Sequence, residues 1–334
     1  MIRSAASRRA SEANPWRRRD LLAAALAACV AHPGARAQGG VPLVAVLVAT
    51  GVHPLDYLRQ GLRAQGLAEG ESVNFAFRSA DGNPRDLPGL ARHLASLKPA
   101  VLFCVGPAAL DAAVHATSTV PIVALDLETD PLRSGLVRSL EQPRTNVTGL
   151  FIDQPAIAGR WFELVRQVVP KAQKLNLLWD ASTGPWQLWA AKNAAQRLKF
   201  DVDTLVVRDE GEFEQELAGG MRRGPDTLVL LSSPLVRARS TTIAAFCMRQ
   251  RLPAISPFSD FTRAGGLMSY GPDVQDFYLR TAGFVVKILQ GARPGELPIL
   301  LPTQFELVLN PRAAAALGLE LPEALRMRAT EVVQ

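Results

Sequence analysis

The feature that most constrains this chain is its alternation. From residue 41 onward, short apolar runs rich in β-branched residues alternate with stretches of helical period. The run "VPLVAVLVAT" (41–50) reads as a strand covered on both faces, because its Val/Leu content is continuous rather than alternating. A helical stretch (56–67), a strand (72–80) and a second helix (87–97) follow, the last with Leu87, Leu90, Leu94 and Leu97 on one stripe. The strand at 100–106 runs into a helix at 107–117 with Pro107 in its first turn, and a strand at 120–127 comes next. After "NVTGLFID" (146–153) the beat starts again. Helices are expected at 156–169, 184–199, 210–221 and 236–250, with strands at 174–180, 201–207, 226–233 and 252–257. A strand–helix–strand unit over 265–310 and a short helix from Pro311 close the chain.

Strands that alternate with helices over short connections build parallel sheets covered on both faces. There are too many strands for one such sheet, so the economical reading is an α/β protein of two Rossmann-like lobes with parallel-rich sheets. The expected bounds are a leader over 1–37, a first lobe over 38–151 plus 267–298, and a second over 152–266 plus 299–334. No low-complexity linker separates the halves, which points to a hinge of several extended crossings rather than a tether.

The leader accounts for the basicity of the chain. The formal net charge is +6, but residues 1–37 hold seven basic and two acidic residues, leaving +1 for the remainder. That balance excludes a nucleic-acid partner, which needs a surplus of clustered Lys and Arg. Leu21 to Ala31 form an apolar run too short to span a bilayer, preceded by Arg18-Arg19 and followed by Ala35-Arg36-Ala37. This is the pattern of a twin-arginine-like export signal cut before Gln38, which predicts a periplasmic protein. Leu26-Ala27-Ala28-Cys29 offers the alternative of a lipoprotein anchored through Cys29. The other cysteines, Cys104 and Cys247, sit in apolar runs. No C-x-x-C spacing marks a zinc or dithiol site, and a Cys104–Cys247 disulfide stays open.

Motifs of the common enzyme classes are missing. There is no Gly-rich phosphate loop, no G-x-S-x-G and no H-E-x-x-H, and the four histidines have no spaced ligand partners, so no cofactor and no metal are expected. What stands out is a set of small and polar residues where strands end: Thr50-Gly51, Gly106-Pro107-Ala108, Asp126, Asp180 with Ser182 and Thr183, and Ser232-Ser233. In open parallel sheets, ligands bind beyond the carboxyl ends of strands. Free N–H groups at helix starts there suit an anion, and Asp126 or Asp180 suits an ammonium or hydroxyl. The set therefore suits a small polar or zwitterionic ligand. Trp186, beside Trp179 and Trp189, and Tyr270 are candidate walls. The competing reading is that the Ser, Thr and Asp residues cap the following helices and the tryptophans pack.

"AGGLMSYGPD" (264–273), "LPTQFELVLNPRAAAALGLELPEAL" (301–325), "PRTNVTGLF" (143–151) and "DPLRSGLVRSL" (130–140) strongly resemble the TrpX-like family of ABC transporter substrate-binding proteins. The likeness runs in order over nearly the whole chain past the leader. It implies a type I periplasmic-binding-protein fold whose lobes close over a solute, no catalysis, a membrane permease as partner, and a monomer. Better-known members bind aromatic amino acids, but "LWDASTGPWQ" and "LLSSPLV" depart from the usual family motifs, so the resemblance leaves the ligand open. Two other readings of the same residues are a sensory module feeding a separate receptor, and an α/β enzyme with Asp126 and Asp180 as acid and base.

Overall fold

The computed structural model describes residues 40–49, 53–208 and 211–333. The leader with its cut site and Cys29, and the candidate site residues Thr50 and Gly51, lie outside the described residues.

The first half alternates as β1 (Leu43–Val48), α1 (His53–Ala64), β2 (Asn74–Ser79), α2 (Leu87–Ser96), β3 (Val101–Val105), α3 (Pro107–Ala116), β4 (Ile122–Leu125) and β5 (Val147–Leu150). Its five strands form one all-parallel sheet in the order β2-β1-β3-β4-β5. β3 and β4 are buried at every position, as their unbroken apolar runs require. β5 lies within "NVTGLFID", where the sequence suggests only a boundary. A glycine interrupts its run because the strand needs one: Gly149 has φ +139, and a Cβ there would lie 2.0 Å from the Ala124 carbonyl oxygen on β4.

The second half continues with α4 (Gln154–Val168), β6 (Lys174–Asp180), α5 (Trp186–Arg197), β7 (Asp201–Val207), α6 (Phe213–Met221) and β8 (Thr227–Leu230). Then come α7 (Pro234–Ala238), α8 (Ser240–Arg249), β9 (Ala254–Ser256), α9 (Ser259–Arg263), β10 (Met268–Pro272), α10 (Val274–Leu289), β11 (Phe305–Leu309), α11 (Pro311–Ala316), α12 (Glu323–Arg326) and β12 (Glu331–Val332). The sheet order is β12-β11-β10-β9-β8-β6-β7. Its β7-β6-β8-β9-β10 portion is parallel and repeats the 2-1-3-4-5 order of the first sheet. β11 runs antiparallel to β10. The two lobes are thus two copies of one plan. Each has its topological switch between its first and third strands, where open α/β sheets place ligands.

Three crossings join the lobes. β5 leads into α4, which packs on α5 and β10; β10 leads into α10, which returns to pack on α1 and the first sheet; and the segment after α10 leads into β11. On that last passage Leu300 bridges to Leu150 at the end of β5. Met268–Pro272, assigned to the first lobe by the expected bounds, instead pairs with β9 and β11 in the second sheet. β10 is also tied to α4, whose buried Trp161 donates its indole N–H to the Tyr270 carbonyl at 2.7 Å. Cys104 on β3 and Cys247 on α8 are free, buried thiols in separate apolar clusters, so the disulfide left open by the sequence does not form.

Candidate functional site

The carboxyl ends of β1, β3 and β4 face those of β8 and β9 across a cavity of about 370 Å³. That volume falls within the range of small-ligand pockets, roughly 300–1,000 Å³. Both lobes and the crossing helix α10, the hinge helix, supply its walls. Leu127 and Glu128 follow β4, Arg237 comes from α7, Phe258 follows β9, Tyr57 stands on α1 and Tyr278 on α10. The Tyr57 and Tyr278 rings stack at 5.1 Å, which fixes one wall between α1 and the hinge helix.

Two polar groups organise the cavity. Arg237 donates Nε–H to Asp260 Oδ2 at 2.8 Å, and its guanidinium lies 5.9 Å from the Tyr57 ring centre and 5.8 Å from that of Phe258. Burial opposes its charge, but Asp260 outweighs burial, so the Arg237 pKa lies above its ordinary value. Glu128 is only 2% exposed. Its Oε2 accepts the Leu127 N–H at 3.1 Å, and its Oε1 accepts the Ser232 hydroxyl at 2.5 Å, a bond that ties the first lobe to the second. Burial pushes the Glu128 carboxyl well above the usual carboxylate range, and neighbouring Asp126 pushes it the same way.

The lobes touch elsewhere around this cavity. Gly106, at φ +82, is so close to the opposite lobe that a Cβ would lie 2.9 Å from Pro234 Cγ. The Arg133 guanidinium stacks 4.6 Å from the Trp189 ring centre, and Arg133 Nε lies 3.2 Å from Asp130 Oδ2. These contacts hold the lobes closed over the cavity.

Of the residues singled out from the sequence, Gly106 lines the main cavity. Pro107, Ala108, Asp180, Ser182 and Thr183 line an adjoining crevice of about 20 Å³, reached past Gly106 and Pro234. Trp186 faces a third space, an outer groove of about 540 Å³ that also touches Pro107, Ala108, Ser182 and Thr183. Asp126, fully buried behind Glu128, accepts the Glu128 and Thr129 N–H groups on Oδ1, each at 2.9 Å. Asp180 accepts the Ser182 N–H at 2.9 Å, and Ser233 both donates to Asp180 Oδ2 at 2.8 Å and caps α7 through the Val236 N–H. Ser232 reaches the site through Glu128, with its carbonyl held at 2.6 Å by buried Gln187. Tyr270 lines none of these spaces; it stacks on Phe305 at 5.6 Å in the hinge strands. The sequence reading missed Tyr57, Glu128, Arg237, Phe258, Asp260 and Tyr278. The available signal was Glu128 itself, an acid two residues beyond Asp126 in "LDLETDP".

Residues 50–333 match the family model described as "ABC transporter substrate binding protein". The chain belongs to this family. The binding protein is 23% identical over 279 residues to a tyrosine-binding protein of Clostridioides difficile (strain R20291), covering 80% of this chain and 79% of the relative. Among solved structures it is similar to a conserved domain protein of Vibrio cholerae O1 biovar El Tor. That match has a TM-score of 0.81 and 27% identity, and covers 87% of this chain and 99% of the other. It shares its fold with an ABC domain from Streptococcus pneumoniae in complex with L-Trp, at a TM-score of 0.79 and 21% identity over 87% of this chain and 99% of the other. The fold is that of type I periplasmic binding proteins. The family sets the function as solute capture for an ABC transporter, with a small-molecule ligand, a permease as partner and no catalysis, outside the cytoplasmic membrane.

Proposed function

We propose that the binding protein captures a small zwitterionic solute of amino-acid type between its two lobes and delivers it to its permease as a monomer of the TrpX-like group. The observation that carries this reading is the 370 Å³ cavity, lined from both lobes and from the hinge helix. A ligand touching both walls favours the closed arrangement by its differential affinity for it, and that couples capture to a shape a permease can recognise. Arg237 and the start of α3 beyond Gly106 lie on the rim suited to a carboxylate, while Glu128 suits an ammonium. The tyrosine-binding relative and the L-Trp-bound neighbour support the amino-acid class.

In this reading residues 1–37 form an export signal removed before Gln38, the mature protein is periplasmic, and the lobes meet near residues 151, 273 and 299. Mass spectrometry of the exported protein and of whatever co-purifies with it tests both parts. An N-terminus at Gln38 and a retained amino acid are expected; a lipid-modified Cys29 overturns the cut, and a turned-over ligand overturns the binding-only reading.

A further inference from the structure

Tyr278 stands in the cavity wall with its ring packed and its hydroxyl unpaired. The residue is 1% exposed, and its ring lies 5.1 Å from that of Tyr57 and 6.2 Å from that of Phe103. No group among the described residues hydrogen-bonds its hydroxyl. Six other described residues hold the polar atoms that are both sealed off and unpaired, so this hydroxyl opens on the cavity that its ring lines. A buried Tyr O–H ordinarily has a partner, because without one it has given up water for nothing. Burial also pushes the phenol's titration upward, so it stays a neutral donor.

Mechanically the residue belongs to the first lobe. α10 lies so close to α1 that a Cβ on Gly61 would sit 2.7 Å from Ala282 Cβ, and Phe103 is on β3. Arg237 faces the same cavity from α7 in the second lobe. Its Nε–H is committed to Asp260, while its terminal N–H groups bond no described residue. Its guanidinium lies 5.9 Å from the centre of the Tyr57 ring, on which Tyr278 stacks. Two sets of unpaired donors, one on each lobe, therefore face one space.

We infer that the Tyr278 hydroxyl and the Arg237 guanidinium grip one carboxylate of the solute from opposite lobes, which makes Tyr278 a ligand-binding residue that converts occupancy into closure. The inference rests on the cavity being the ligand site. A carboxylate offers both lobes an acceptor oxygen and balances the guanidinium. An ammonium offers only donors and is repelled by Arg237. With the lobes apart a carboxylate meets one donor set, and with the lobes together it meets both, so its bonds favour the closed form.

Tyr278→Phe tests this by removing one oxygen and keeping the ring. In the exported protein, unfolded and refolded to strip bound solute, the variant loses a group that had no partner. Its thermal midpoint stays within about 2 °C of the parent or rises. Isothermal titration uses tyrosine, tryptophan, leucine and lysine, each beside its decarboxylated amine. Affinity for the amino acids falls about 10-fold or more in the variant, while the amines bind it no worse than they bind the parent. Solution scattering at saturating amino acid shows a larger open fraction. Arg237→Gln, alone and combined with Tyr278→Phe, completes a double-mutant cycle whose losses are less than additive, since either change breaks the two-sided grip. Overturning results are amino-acid affinity within about twofold of the parent, equal weakening of the amines, additive losses in the cycle, or a destabilised ligand-free variant. Each of these leaves the cavity as the binding site. A parent protein that binds none of the panel overturns the inference and the amino-acid reading together.

Discussion

Replacing Ser232 by alanine isolates the energy of lobe closure. The Ser232 hydroxyl donates to Glu128 Oε1 at 2.5 Å, and Ser232 and Glu128 are both buried, 4% and 2% exposed. The residue sits after β8 and its partner after β4, so the bond exists only when the lobes meet. With the lobes apart, water satisfies both groups. Ser232→Ala therefore removes an interaction from the closed form and almost nothing from the open one. The backbone at 232 stays anchored, because Gln187 Nε2 holds its carbonyl from within the same lobe at 2.6 Å. A hydrogen bond to a charged or shared-proton carboxyl contributes about 1.5–3 kcal/mol. The closed-to-open ratio, and with it ligand affinity, falls roughly 10- to 100-fold. Isothermal titration gives the affinity, and solution scattering gives the open fraction with and without ligand. The thermal midpoint of the ligand-free protein stays within about 2 °C of the parent, since no contact within a lobe is lost. Ser233→Ala is the control with the opposite signature. It loses the α7 cap and the bond to Asp180, both internal to the second lobe, so stability drops by about 1 kcal/mol with little direct effect on closure. A Ser232→Ala protein that binds ligand within about twofold of the parent would refute the closure argument.

Other perturbations have equally definite outcomes. Gly149→Ala drives a Cβ onto the Ala124 carbonyl and splits β4 from β5, so the denaturant midpoint falls by an amount equivalent to about 3 kcal/mol or more. Trp161→Phe leaves the Tyr270 carbonyl unpaired beside a smaller ring at the hinge, costing about 2–3 kcal/mol in chemical denaturation. Burial pushes the Cys247 thiol up to about 12 and that of Cys104 upward too. Neither reacts with a thiol reagent at about pH 8 in the folded exported protein, and both react once it is unfolded; fast labelling of the native form would contradict their burial.

The architecture was legible because parallel strands covered on both faces leave a strong trace. Runs such as "AVLFCVG" and "DTLVLLSS" are apolar at consecutive positions, and only a sheet with helices on both sides rewards that. What escaped were elements set by tertiary demand. β5 hides because Gly149 must accommodate the Ala124 carbonyl, and a glycine inside a short run reads as a break. The helix expected over 236–250 divides at Arg239, with φ −100 and ψ 11, into α7 and α8. Nothing in local propensity demands that break. It sets Arg237 against Asp260 and the cavity, so its reason lies in a contact between distant segments. β12 has only two residues and exists because β11 offers an open edge.

The site separates along the same line, and the separation explains what the strand-end residues do. Polar residues at the carboxyl ends of strands lie next to helix starts by construction, and most of them here are used to hold those starts. Asp180 and Ser233 brace one another and cap the segments that follow, and Asp126 ties down its own loop. They fix the backbone from which Glu128, Pro234 and Arg237 project. The groups that meet the cavity come from helix faces and loop positions that sequence pattern cannot orient: Tyr57 and Tyr278 belong to an α1–α10 contact between segments more than two hundred residues apart. Such walls are free to vary in chemistry while the caps stay fixed. The fold can thus keep one closing motion while the charge lining its cleft sets which solute triggers it.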